Sequence, residues 1–281
     1  MKINLAKSAG FCFGVKRALS IALKTARSTL PVHMIGDIVH NEDVVKEINE
    51  AGIKKITKLM NGKGKMLLVQ AHGSCNTILK SALKRGYTIV DATCPMVKEI
   101  HRIVKKAESH GRRIIIIGDK HHDEVHGITG QLKQKAIIID NPARIPAIPK
   151  KIKSVTVVVQ STQNLSKALT VVEKLKGMIS DLEFCNTICK PTKIKQEEIK
   201  RLPLNNDCVI VIGSKKSANT KRLFEISKSL NPKTYWVQSR KNLKKSWFKG
   251  MGSVGVTAGA STPDATTNKI IVAIKKLSRS R

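Results

Sequence analysis

The amino-acid sequence predicts an α/β fold, on two observations. Short Val- and Ile-rich runs at 66–70, 114–118, 155–160, 208–213 and 254–257 have the composition of strands buried on both faces, as in parallel sheets. Between them lie stretches whose apolar residues recur at helical spacing. Alternation of the two patterns implies parallel strands joined by helices.

Taken in order, Val15, Ala18, Leu19, Ala22, Leu23 and Ala26 line one face of a first helix. The strand at 66–70 runs into Ala71-His72-Gly73-Ser74, and the helix after it stops at Gly86. Val97, Ile100, Val104 and Ala107 mark another helix, opened near Pro95 and closed before Gly111. The run at 114–118 leads into Asp119-Lys120-His121-His122-Asp123-Glu124, and the next ends in Gln160-Ser161-Thr162. Gly213-Ser214-Lys215-Lys216-Ser217-Ala218-Asn219 follows the fourth run, before a helix that ends near Leu230 ahead of Pro232. Thr257-Ala258-Gly259-Ala260-Ser261 closes the fifth.

Small hydroxylated residues, His and Gly collect at the carboxyl ends of these strands, where open α/β sheets bind ligands and helix N-termini offer free N–H groups to an anion. Turn and capping chemistry accounts for any one such loop. Five together point to a phosphate-bearing ligand. No Walker or dinucleotide fingerprint is present. Ser74-Cys75-Asn76-Thr77 and Ser217-Ala218-Asn219-Thr220 read as a faint internal repeat.

The 281 residues allow two or three domains, and 52 Lys and Arg against 20 Asp and Glu leave a formal charge of +32. Residues 1–93 carry 15 basic against 6 acidic residues, 94–187 carry 16 against 9, and 188–281 carry 21 against 5. The basicity is a property of the whole chain. It is compatible with binding nucleic acid or with a solvated Lys-rich surface. Nine aromatic residues are few for a stacking platform, and no zinc-finger, helix-turn-helix or RNA-motif signature occurs. No apolar run approaches the ~20 residues that span a bilayer, and the start lacks a secretory h-region. A cytoplasmic location is expected.

Six cysteines, at 12, 75, 94, 185, 189 and 208, do not read as a disulfide framework in such a protein. Cys208 and Cys75 suit packed thiols. Cys12, Cys94 and Cys189 each precede a helical stretch, where the helix dipole favours thiolate. They are 82 and 95 residues apart. With no Cys-x-x-Cys motif, a shared metal site and three unrelated thiols both remain open.

The motifs Gly10-Phe11-Cys12-Phe13-Gly14-Val15-Lys16-Arg17-Ala18, Ile38-Val39-His40-Asn41, Ala71-His72-Gly73, Asp91-Ala92-Thr93-Cys94-Pro95 and Gly255-Val256-Thr257-Ala258-Gly259-Ala260-Ser261 follow one another along the chain. As an ordered set spanning Cys12 to Asp264, they resemble the 4-hydroxy-3-methylbut-2-enyl diphosphate reductase family, the terminal enzymes of the non-mevalonate isoprenoid pathway. The resemblance implies three αβα domains, at 13–93, 94–187 and 188–281, in a pseudo-threefold trefoil around a central iron–sulfur cluster, with 1–12 contributing the first cysteine loop. It implies that Cys12, Cys94 and Cys189 hold one 4Fe–4S cluster with one iron lacking a protein ligand, leaving Cys75, Cys185 and Cys208 structural.

Carried over by matching position, His40, His72, His122, Ser217, Asn219 and Ser261 would bind the substrate's diphosphate, and Ser161 would position its hydroxyl or water. Glu124 would donate the proton, which requires a raised pKa. The implied reaction is reductive dehydroxylation of 4-hydroxy-3-methylbut-2-enyl diphosphate to isopentenyl and dimethylallyl diphosphate. The implied partners are this allylic diphosphate and an acidic ferredoxin- or flavodoxin-type electron donor, without membrane or nucleic acid. The basic final third is the expected docking face.

His33, His101 and His110 are expected at the surface or in caps, and His121 and His126 stay unassigned. The chain departs from the family pattern at Ser161, where Thr is usual, and at Ala218, where a second Ser is usual. It departs again at Pro191-Thr192 and Lys195-Gln196, in place of Ala-Thr and Arg-Gln. Two other readings of the sequence are a basic α/β nucleic-acid-binding protein without catalysis and a zinc-binding structural protein.

Overall fold

The computed structural model describes residues 1–149 and 151–279. Twelve strands and nine α-helices alternate among them. All five sequence-predicted strands form, and the strands make three four-stranded, fully parallel sheets.

One sheet has the order β3-β2-β4-β5, built from β2 (Val32–Ile35), β3 (Lys54–Ile56), β4 (Met66–Val69) and β5 (Thr88–Asp91). A second has the order β7-β6-β8-β9, from β6 (Arg113–Ile117), β7 (Ile137–Ile139), β8 (Ser154–Val159) and β9 (Asp181–Cys185). The third runs β11-β10-β12-β1, from β10 (Cys208–Ile212), β11 (Thr234–Val237), β12 (Ser253–Ala258) and β1 (Lys2–Leu5). The three orders are one pattern: second strand, first, third, fourth. In the last sheet the chain has run out, and the N-terminal strand takes the fourth place, with Ile3 against Val254 and Leu5 against Val256.

The helices repeat with the strands. α1 (Phe13–Ala26), α4 (Pro95–Ser109) and α7 (Lys190–Arg201) precede the first strand of each sheet. α2 (Glu42–Glu50), α5 (Asp123–Thr129) and α8 (Ala218–Leu230) follow that strand, and α3 (Asn76–Lys84), α6 (Leu165–Lys176) and α9 (Asp264–Arg279) follow the third. Parallel strands need such crossovers, and these cover the sheet faces. The central strands are accordingly largely buried: every residue of β10 is buried, as are the four isoleucines of β6.

Two compact units result, one of Met1–Val15, His40–Val45 and Lys190–Arg281, the other of Lys16–Val39 and Lys46–Cys189. The first contains the β11-β10-β12-β1 sheet and the second contains the other two. No helix of the described residues is long and apolar enough to cross a membrane.

The topology corrects one sequence reading. The like tetrapeptides at 74–77 and 217–220 open α3 and α8, which follow a third strand and a first strand respectively. They are not equivalent positions of the repeat, and their likeness reflects helix-start chemistry shared by small polar residues.

Candidate active site

The expected site residues lie in or just after the loops at the carboxyl ends of strands, and the three cysteines recur at one place in the repeat. His40 and His122 follow the first strands of their sheets, with Ser217 and Asn219 at the corresponding turn of the third. His72, Ser161 and Ser261 follow the third strands. Cys94, Cys189 and Cys12 follow the fourth strands, each directly before the first residue of a helix.

The cysteine equivalence extends to hydrogen bonding. The Cys94 N–H donates to the Ala71 carbonyl at 3.0 Å, that of Cys189 to Ser161 at 3.1 Å, and that of Cys12 to Ala260 at 3.1 Å. Each acceptor is the second residue beyond the third strand of its sheet. All three thiols are half-buried. A thiol at a helix N-terminus is a donor suited to an iron–sulfur cluster, and each of the three stands at one. Burial pushes the Cys208 thiol up to about 11 and raises those of Cys75 and Cys185.

In the unit containing residues 46–189, Glu124 sits in the first turn of α5 and is only 2% exposed. Ser161 holds both carboxyl oxygens: its N–H donates to Oε1 at 2.6 Å and its hydroxyl to Oε2 at 2.7 Å. Burial raises the Glu124 pKa, the two Ser161 bonds oppose the rise, and the charge of Asp119 adds to it. His122 caps α5, its Nδ1 accepting the Glu124 N–H at 3.1 Å, which leaves Nε2 to carry the ring proton. The His72 ring meets it edge-on, with centroids 5.3 Å apart.

Gln160, read from sequence only as the end of a strand, joins the loops that carry these residues. It is fully buried, accepts the Asp119 N–H at 2.8 Å and donates to the Thr162 hydroxyl at 3.0 Å. A buried amide at a strand's carboxyl end was the available signal.

His101 corrects a second expectation. It is 9% exposed, on the buried face of α4 with Val97, Ile100, Val104 and Ala107, and not at the surface. Gly73, at φ +81°, lies so close that an added Cβ would stand 2.7 Å from the imidazole Cε1. Burial and the Lys105 charge lower the His101 pKa to about 4, so the ring is neutral. His110 does cap α4, and His33 is half-buried on β2, its Nδ1 3.2 Å from the Tyr87 hydroxyl.

In the other unit, the Ser261 hydroxyl donates to the His40 carbonyl at 3.1 Å. Asn41 caps α2, accepting the N–H groups of Asp43 and Val44 at 3.0 and 3.2 Å. The Ser217 side chain caps α8. Asn219 follows it, 3% exposed, and neither atom of its amide has a hydrogen-bond partner among the described residues. A buried amide with nothing to bond costs free energy, and a ligand's oxygens would recover it. Lys195, a departure from the family pattern, is buried in α7.

The sequence model of the LytB protein family matches residues 3–275. The chain belongs to the LytB family. It is 36% identical over 281 residues to 4-hydroxy-3-methylbut-2-enyl diphosphate reductase of Geotalea uraniireducens (strain Rf4), covering 100% of this chain and 99% of the relative. The enzyme of the same name from Geobacter sulfurreducens is 38% identical over 278 residues, 98% of each chain. Two solved structures are similar. One is (E)-4-hydroxy-3-methyl-but-2-enyl diphosphate reductase, the terminal enzyme of the non-mevalonate pathway, with a TM-score of 0.72 and 34% identity over 98% of this chain and 100% of that one. The other is the E-1-hydroxy-2-methyl-but-2-enyl-4-diphosphate reductase of Plasmodium falciparum, with a TM-score of 0.89 and 28% identity over 96% and 87%. LytB membership sets the nucleic-acid-binding reading aside.

Proposed function

We propose that this LytB chain is a 4-hydroxy-3-methylbut-2-enyl diphosphate reductase, forming isopentenyl and dimethylallyl diphosphate. In the balanced reaction the allylic C–O bond breaks, two electrons and two protons enter, a C–H bond forms and water leaves. One observation carries the chemistry: a buried carboxyl, Glu124, held by both donors of Ser161, whose own carbonyl accepts the N–H of Cys189. A proton store and a candidate metal ligand share one serine.

Cys12, Cys94 and Cys189 would hold a 4Fe–4S cluster, their three thiolates leaving one iron without a protein ligand. When bound, the cluster supplies single electrons and a Lewis-acidic iron. The chain's residues do the rest. Glu124, its pKa raised by burial, delivers a proton, and Ser161 fixes its orientation and the position of the hydroxyl or water. The Asn219 amide, the Ser217 and Ser261 hydroxyls and the imidazoles of His40, His72 and His122 bind the diphosphate by donating hydrogen bonds to it.

The repeated strand order supports three domains, at 13–93, 94–187 and 188–281, with residues 1–12 completing the third sheet and supplying the first cysteine. The basic residues of the final third favour docking of an acidic ferredoxin- or flavodoxin-type donor, and the spacing of the cysteines, which is not that of a disulfide framework, suits the cytoplasm.

Anaerobic purification with iron and sulfide analysis, electron paramagnetic resonance and turnover with a reduced donor tests this function. Iron and sulfide in near-equal amounts with formation of both products is expected. A colourless protein that binds zinc but no sulfide, and does not turn over, would overturn it.

A further inference from the structure

Lys195 is 3% exposed on α7, the helix whose first residue follows Cys189. A buried ammonium is costly unless hydrogen bonds satisfy it. Here its Nζ donates to three backbone carbonyls: Ser8, Gly10 at 3.0 Å and Ala258 at 3.2 Å. Two of these belong to the loop that ends at Cys12, and the third is the last residue of β12.

One turn along α7, Glu198 grips the same loop by its donors. It accepts the N–H of Lys7 at 2.5 Å and both the N–H and hydroxyl of Ser8, at 2.9 and 2.5 Å. The two side chains therefore hold opposite poles of one backbone segment, cation on carbonyls and anion on amides. Glycine suits the turn between them: Gly10 is at φ +90°, and an added Cβ would stand 2.5 Å from Asp264 Oδ1. Three carbonyl acceptors match the three N–H donors of an ammonium, and although burial draws the Lys195 pKa down to about 8, the charges of Cys12, Glu198 and Asp264 pull it up.

We propose that Lys195 is a positioning residue that clamps the Cys12 loop together with Glu198 and leaves a fixed positive charge beside the Cys12 ligand, favouring the more reduced state of the group Cys12 binds. The electrostatic half rests on the reading of Cys12 as a cluster ligand; the clamp does not. A buried positive charge lowers the free energy of an added electron nearby, because the low local dielectric screens it poorly.

Two measurements on the full chain separate the halves. In the cluster-free protein, hydrogen exchange at amides 8–12 should quicken at least tenfold in Lys195→Met and in Glu198→Gln, with Lys195→Arg near the parent and the β10 and β11 amides unchanged. Parent-like exchange at 8–12 in both Lys195→Met and Glu198→Gln would overturn the clamp. In the reconstituted protein, Lys195→Met should lower the reduced-to-oxidised ratio at a fixed potential about tenfold, a shift of roughly −59 mV for one electron. Lys195→Arg should restore it, and Glu198→Gln, which loosens the loop without removing a cation, should not lower it. Equal midpoints in parent and Lys195→Met, or an equal fall in Glu198→Gln, would overturn the charge effect. If the parent itself takes up no cluster, the proposed function fails while the exchange result still decides the clamp.

Discussion

Ser161 donates to both oxygens of Glu124, through its N–H to Oε1 and its hydroxyl to Oε2, in a pocket that leaves the carboxyl almost no contact with solvent. Burial favours the neutral acid and these bonds favour the carboxylate, so the pair sets the proton affinity of the site by opposition. Glu124→Gln keeps the shape and removes the transferable proton. Turnover in that variant should fall by about 10²–10⁴-fold, with substrate affinity and iron content preserved. Titration calorimetry beside steady-state assays checks this, and normal turnover would remove the acid role from Glu124.

The same opposition fixes the sign of a pH effect. Activity that needs protonated Glu124 declines as pH rises through its raised pKa. Ser161→Ala removes a hydroxyl bond that lowers that pKa, so the alkaline limb of the pH–rate profile should move to higher pH while the maximum rate falls. A limb moving to lower pH would contradict this account. For stability, a raised folded pKa contributes most below the ordinary carboxyl range and is lost as pH rises through the folded value. Thermal melts should therefore show Glu124→Gln gaining on the parent as pH increases.

Asn219 offers a different signature, because its buried amide bonds to nothing among the described residues. Asn219→Leu preserves shape and removes two unsatisfied polar atoms. Its melting temperature should hold or rise, while affinity for inorganic diphosphate weakens by about 1.5–3 kcal/mol, roughly tenfold to a hundredfold. Unchanged diphosphate affinity would remove Asn219 from the binding site.

His101 should make the fold acid-sensitive on its own account. Its pKa is lowered from 6.5 to about 4, so the unfolded chain takes up the proton first. The stability contribution is complete above pH 6.5 and is lost progressively toward pH 4, by about 3 kcal/mol in all. Urea unfolding of the cluster-free chain at pH 7.5 and pH 5 should show that loss, and a His101→Leu variant should show less of it. The parent falling no further than the variant would count against a buried neutral imidazole.

The matched cysteines predict a division among the six thiols. Cys12→Ser, Cys94→Ser and Cys189→Ser should each cut bound iron and sulfide after reconstitution, whereas Cys185→Ser should retain both. Iron retained in all three of the first group would break the equivalence that their hydrogen bonds describe.

Much of this was legible because it is encoded over short distances. The alternation of strand and helix, the five apolar strands, Pro95 at the start of α4 and the loops carrying His72, His122 and Ser217 all follow from local periodicity and turn chemistry. The other seven strands escaped notice, being short and, in most cases, at sheet edges where half-exposure blurs the pattern. His101 lies four residues after Val97 on the same buried stripe, a place its spacing encodes and its polarity masks.

By itself the sequence determined the α/β class, the set of cysteines and strand-end residues and, through their order, the family. The tertiary structure alone decided that Lys2–Leu5 completes a sheet with strands some 250 residues later, that the three cysteines occupy one repeated position, and that Glu124 is buried under Ser161. Strand pairing and burial are non-local. They depend on which distant segments exclude water from a group, and it is that exclusion that raises the pKa of Glu124 and leaves Lys195 only backbone carbonyls to bond.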